Sequence, residues 1–143
     1  MAFKLIGCAG GLTEVAMLEV LGSGRIQIGD LVERGAGIAT KATTGSTTTI
    51  LLGVAASAVG ATVNGYFKVI PIMPGQLWEV DCTSTTTTAQ LQLVHKLTDQ
   101  ATIANDTTEY ATSLLGVFLA HYIGGGSTTK LIGEFVRVTG FVS

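Results

Sequence analysis

Two acids stand two positions apart in "LWEVDCT": Glu79 and Asp81. In an extended chain, side chains at i and i+2 share a face, which sets these carboxyl groups about 7 Å apart. Glycoside hydrolases flank the scissile bond with carboxyl pairs at a comparable gap, one supplying a proton and the other activating water or attacking carbon. The same spacing arises on any solvated strand face. With 1 Trp and 3 Tyr in the chain there is no stack of aromatic rings to hold a sugar, so the solvated-face reading outweighs the catalytic one. The other acids (Glu14, Glu19, Asp30, Glu33, Asp99, Asp106, Glu109, Glu134) are scattered.

The remaining reactive side chains do not assemble. His95 lies on a leucine face with Leu91, Leu93 and Leu97, where a hydrogen-bonded core or interface histidine is the ordinary finding. His121 precedes Tyr122 and a glycine run, at a strand end. Two histidines with unrelated neighbours do not supply the three or four ligands zinc takes, so no metal is expected. Cys8 and Cys82 match no zinc or redox spacing and read either as a disulfide or as two small buried apolar side chains. "LIGCAGG" (Leu5–Gly11) departs from G-x-G-x-x-G, and no Lys-Ser/Thr pair follows "GSGR" or the Gly124–Gly126 run. No cofactor is expected, and the chain reads as a non-enzyme.

The elements that would position these residues are strands. Thr clusters at Thr40–Thr49, Thr83–Thr88 and Asn105–Thr112, and this β-branched residue favours strands and their edges. "RIQIGDLVE" alternates, with Ile26 and Ile28 on one face; "TTILLGVAAS" suits a strand buried on both sides. Asn64-Gly65 signals a hairpin turn, "YFKVIPI" a strand and "MPGQ" (Met73–Gln76) a type II turn. Trp78, Val80 and Cys82 oppose Glu79 and Asp81, and beyond the threonines Leu91, Leu93, His95 and Leu97 share a face. Period two on both sides of a polar run predicts a hairpin folded around Ser84–Thr88. "SLLGVFLAHYI" and "KLIGEFVRVTGFV" supply two more strands, the second bulged at Gly133. "LLGV" recurs at Leu51–Val54 and Leu114–Val117, either as a duplicated β unit or by chance. Gly10–Gly24 reads as a short helix capped by Thr13, or as a strand spoiled by Glu14 and Glu19. The expectation is an all-β, compact β-barrel or β-tulip-like single domain with at most one short helix. Residues 1–24 form an N-terminal arm and residues 25–143 the barrel.

Bulk composition narrows the role. A chain of 143 residues makes one domain with a real core, and a net charge of -2 lacks the basic balance that neutralises phosphates. Charged residues make up 13% of the chain and hydrophobic ones 47%, where an ordinary soluble domain is about 25% charged. Such a surface belongs either in a membrane or against other protein. The apolar run Ile50–Val63 is 14 residues long and broken by Gly and Ser, short of the roughly 20 that span a bilayer. The N-terminus has no long apolar core for a cleaved signal. Covered protein surface is the better reading.

The series "IQIGDLVE", "GIATKATT", "TTILLGVAAS", "GYFKVIPIMPGQLWEVDCTS", "TIANDT" and "SLLGVF", spanning roughly Ile26 to Val117, resembles phage capsid decoration (cement or auxiliary head) proteins. That resemblance implies a non-catalytic virion protein on the capsid exterior, assembled in the host cytoplasm. Its partners would be the major capsid protein and itself, as a homotrimer, with neither nucleic acid nor membrane involved. On this reading the arm Ala2–Gly11, with Phe3, Lys4, Leu5 and Ile6, contacts the shell after ordering on docking. Trp78, Val80, Leu91 and Leu93 pack in the core or between subunits. The alternative is a carbohydrate- or surface-binding β-domain, an adhesin or fibre module.

Overall fold

In the computed structural model of the chain the described residues are 3–8, 17–48, 50–60, 64–73, 75–109, 115–124 and 128–136. Among them every regular element is a strand except one 3₁₀ turn at Thr88–Gln90, so the all-β expectation holds. The strands are β1 (Phe3–Cys8), β2 (Leu18–Gly22), β3 (Leu31–Glu33), β4 (Thr40–Lys41), β5 (Leu51–Ala55), β6 (Gly65–Pro71), β7 (Gln76–Cys82), β8 (Val94–Asp99), β9 (Thr102–Glu109), β10 (Phe118–Ile123) and β11 (Lys130–Phe135). No helix among the described residues is long and apolar enough to cross a membrane.

One sheet runs β1-β7-β11-β10-β8-β9, and β9 returns to β7, closing a five-stranded barrel with β1 as an extra strand. Closure depends on β7 dividing one edge between two partners. β1 pairs antiparallel along Gln76–Val80, and β9 takes over in parallel at Asp81–Cys82. The alternation read from the sequence is carried through β7: Gln76, Trp78, Val80 and Cys82 are buried, and Leu77, Glu79 and Asp81 are half-exposed. Inside, Phe135 is the hub of an aromatic cluster, with ring centroids 5.5 Å from Phe3, 5.8 Å from Trp78 and 5.4 Å from Phe118. Edge-on and tilted contacts at these distances stabilise beyond the area they bury.

The second sheet, β2-β6-β5-β3-β4, is apolar on both faces. Leu31, Leu51 and Val54 join the barrel core, while Val32, Ala55, Phe67 and Val69 form a second cluster with Ile26, Ala39 and Val59. That explains why β5 reads as an unbroken apolar run rather than an alternating one. The sheets are stitched where β3 and β4 meet the β8–β9 turn. Leu31 donates its N–H to Gln100 O at 2.8 Å, and Thr44 Oγ1 donates to Leu97 O at 3.0 Å. At the other crossing the Met73–Gln76 turn carries the chain from β6 to β7. Gly75 has φ +84 there, Gln76 Oε1 accepts the Met73 N–H at 2.8 Å, and Gln76 Nε2 donates to Pro71 O at 3.0 Å.

Several expectations are corrected. Leu18–Gly22, offered as a helix or a spoiled strand, is strand β2 paired to β6, and residues 10–16 lie outside the described set. Phe3–Cys8 is an integral strand rather than an arm awaiting a partner, because Phe3 is buried against Phe135. Ile26 and Ile28 do not share a face. Asp30 folds 27–30 into a turn, its N–H donating to Gln27 O and its Oδ2 accepting the Gln27 N–H, so Ile26 is buried and Ile28 is exposed. Gly65 already belongs to β6, opposite Gly22, so Asn64-Gly65 is not a two-residue hairpin turn.

The predicted hairpin around Ser84–Thr88 does not form. β7 pairs with β1, β11 and β9, whereas β8 pairs with β9 and β10. Gln92 sits in the left-handed region at φ +62, which ends the period-two run before β8 and leaves Leu91 and Leu93 outside any strand. The two "LLGV" copies differ in use: Leu51–Val54 is strand, and Leu115–Val117 leads into β10 without being strand.

The bulge expected at Gly133 lies across from it, where His121 is the extra residue between the Ala120↔Gly133 and Tyr122↔Ile132 pairs. Gly133 has its own reason: a Cβ there would run into the Leu119 carbonyl oxygen across the ladder. Gly133→Ala is therefore expected to lower unfolding stability by about 1–3 kcal/mol through overpacking, as measured by chemical denaturation. An unchanged denaturation midpoint would refute the close approach.

Candidate functional site

The carboxylate pair forms a surface ladder. Asp81 Oδ1 accepts from Lys130 Nζ at 2.6 Å, with both side chains about one third exposed, and this hydrogen bond holds the lysine above its usual range. Glu79 stands between Lys4 on β1 and Ile132 on β11. Such exposed pairs are worth at most about 1 kcal/mol, and nothing in this row forms a concave site. The histidines face opposite ways. His95 is fully buried, its Nε2 3.0 Å from Gln90 O, as a core histidine should be. His121 lies outside on the bulge, its Nε2 3.8 Å from Glu134 Oε2.

The cysteines do not pair. Strand register sets Cys8 opposite Gln76, six positions along β7 from Cys82, roughly 20 Å away by strand rise and beyond any disulfide. Burial and the neighbouring Asp81 push the Cys82 thiol up to about 12, so it is a small packed side chain and no nucleophile. No group of three or more His, Cys, Asp or Glu among the described residues could hold a metal ion.

Asn105 is the polar residue that sequence reading passed over, having registered only at the head of a threonine cluster. It is buried on β9 and organises the Thr-rich loop. Its Oδ1 accepts the Ser84 N–H at 2.9 Å, and its Nδ2 donates to Ser84 O at 2.9 Å and Gln90 Oε1 at 3.0 Å. Thr85, Thr87 and Thr88 are left exposed at the tip, so the loop is a tethered polar cap over one end of the barrel. The local signal was Asn on a strand of small and β-branched residues. Its partners, some 20 positions earlier in the chain, had no local signal.

The eight residues expected to make contacts divide three ways. Phe3, Trp78 and Val80 belong to the core; Leu5 and Leu91 pack against it half-buried; Lys4, Ile6 and Leu93 are exposed. Other exposed large apolar side chains are dispersed: Leu18 and Tyr66 on opposite faces of the second sheet, Tyr122 and Ile123 at the end of β10, and Met17, Ile28 and Met73 outside the strands. Between β1 and the second sheet lies a mostly apolar cleft of about 250 Å³, lined by Phe3, Leu5, Ile28, Val54, Ile70 and Trp78 among others. The indole Nε1 of Trp78 is buried without a hydrogen-bond partner.

Against known proteins, no family model matches the chain and no curated protein matches it. Among solved structures it is similar to the head fiber gp8.5 N base of bacteriophage phi29, at 12% identity and a TM-score of 0.52. The match covers 87% of this chain and 96% of that one. Over most of its length the chain is therefore similar in fold to that head-fibre base.

Asp30 gives the electrostatics a test. It is buried at the start of β3, and burial raises its carboxyl above the usual carboxylate range against the opposing pull of the Gln27 N–H and Lys41. A raised folded-state value means the stability it contributes is present below the ordinary 3.8 and lost as pH rises through the folded value. Asn keeps an acceptor for Gln27 and carries no charge. Asp30→Asn is therefore expected to gain stability relative to the native chain between pH 3.5 and pH 7, read by denaturation at both. An equal difference at the two pH values would refute this account.

Proposed function

We propose that the chain is a virion structural protein that binds the exterior of an icosahedral phage capsid as a homotrimer and reinforces it without catalysis. The observation that carries this reading is the two-way coverage of the fold match to a phage head-fibre base. Composition supports it. A 13% charged fraction and nine exposed large apolar side chains among the described residues fit a subunit whose surface is covered by copies of itself and by a major capsid protein. A protein that binds only the assembled shell stabilises it by mass action, and many copies compound the effect. On this reading it resides on the virion, having assembled in the host cytoplasm, and needs no cofactor, nucleic acid or membrane.

The same match favours a second reading, in which the barrel is the base of a fibre that projects from the head. The two differ in what lies outward of the base, and both require binding to the shell.

The first test is solution mass followed by co-sedimentation with purified heads. A particle of three times the 14.7 kDa chain mass that pellets saturably with heads is expected. A monomer that stays in the supernatant would refute the proposal. Removing Ala2–Gly11 is a poor probe of shell binding because it deletes β1 and with it Phe3 from the core. Lys4→Glu and Ile6→Ser alter exposed positions of the same strand and leave the core intact.

A further inference from the structure

The chain has two asparagines, Asn64 and Asn105, and the fold treats their amides in opposite ways. Asn105 is buried on β9, and its amide is held on both sides. Its Oδ1 accepts the Ser84 N–H at 2.9 Å, and its Nδ2 donates to Ser84 O at 2.9 Å and Gln90 Oε1 at 3.0 Å. Asn64 is exposed and stands immediately before β6, with Gly65 as its successor. An asparagine amide carbon is open to attack by the main-chain nitrogen of the next residue, and the attack is intramolecular, so proximity replaces a second reactant. A side chain on that next residue obstructs the approach, and glycine has none.

The fold itself makes no demand for glycine at this position. Gly65 is not among the positive-φ residues, and a Cβ built there meets only Val59 Cγ1 at 3.9 Å, an ordinary contact. What restrains its nitrogen is one ladder pair. Leu21 O accepts the Ala39 N–H at 2.8 Å and the Ser23 N–H donates to Ala39 O at 3.0 Å, so Gly22 between them faces β6. On β6, Lys68 O accepts the Ala56 N–H at 2.8 Å, which sets Lys68 toward β5 and Gly65, three residues before, toward β2. Gly22 and Gly65 are register partners and form the last pair of that ladder. A ladder end opens at far less free-energy cost than the whole fold, and both members here are glycines.

We infer that Asn64 is a self-modifying site, at which the native chain deamidates through a cyclic imide. When the Gly22–Gly65 pair opens, the Gly65 nitrogen gives up its proton and attacks Asn64 Cγ. The N–Cγ bond forms, the Cγ–Nδ2 bond breaks, and Nδ2 leaves with one proton gained, as ammonia. Water, which reaches this exposed position, then adds across one of the two imide carbon–nitrogen bonds. Cleavage on the Cγ side leaves an aspartate. Cleavage on the main-chain carbonyl side leaves an isoaspartate, whose backbone is one atom longer. Water is the only co-reactant, and nothing is oxidised or reduced. Either product adds one negative charge, beside the exposed Tyr66, to a chain of formal net charge -2. The longer backbone also offsets Gly65 from Gly22 at the entry to β6. None of this depends on the shell-binding reading.

The test incubates the purified full chain in warm, mildly alkaline buffer, folded and in parallel unfolded in urea, and follows both asparagines by peptide mapping and mass spectrometry. In the folded chain Asn64 is expected to gain about one dalton, divided between aspartate and isoaspartate, while Asn105 stays intact. The unfolded chain is expected to convert Asn64 about tenfold faster, because no pair restrains Gly65 there. Gly65→Ala, for which the fold has room, is expected to slow conversion by about tenfold or more without lowering the thermal midpoint. The same comparison in urea keeps that variant informative if it fails to fold. An Asn64 that stays intact in the folded chain while converting in urea would overturn the inference, as would a Gly65→Ala chain that converts at the native rate. Equal rates folded and unfolded would overturn the restraint assigned to Gly22.

Discussion

The architecture rests on how β7 spends its hydrogen bonds. A short barrel closes only if its last strand can reach its first, and here β9 reaches β7 at two residues, Asp81 and Cys82. The rest of that edge would be left bare, and β1 covers it from the N-terminal end of the chain. Because β1 brings Phe3 onto Phe135, covering the edge and completing the aromatic core are one event. The cleft beside Trp78 follows from the same arrangement: β1 satisfies β7 and in doing so becomes the new edge.

What was legible in the sequence was whatever depends on neighbours in the chain. The alternation of β7, the strand character of β6, β10 and β11, the sheet-switching turn at Met73–Gln76 and the buried, bonded His95 all follow from local pattern and the φ demanded at Gly75. What was not legible depends on pairing across the chain. The threonine loop looks like a hairpin tip because both flanks have period two, but both edges of β7 are claimed by strands distant in sequence, and a hairpin partner has no place left. Ile28 shows the same limit on a smaller scale: a side-chain turn at Asp30 redirects one residue and undoes an alternation that looked secure. The interface residues were sorted by hydrophobicity, which finds core and contact residues alike. Only burial separated Trp78 and Val80 from Ile6 and Leu93.

Several polar groups among the described residues are engaged in holding the fold. Asp81 meets Lys130 across two strands, Asn105 ties down the threonine loop, His95 supports the 3₁₀ turn from beneath, and Cys82 stays protonated in the core. The large apolar side chains left outside are spread over both sheets and the loops between strands.

The crossing at Met73–Gln76 has a mechanical side. Gln76 grips both ends of the segment that joins the layers, through Met73 on one side and Pro71 on the other, while Leu31 and Thr44 fasten the far end to the barrel. The two layers are thus tied to one another at two separate places. Sliding one layer over the other would have to break both sets of bonds together.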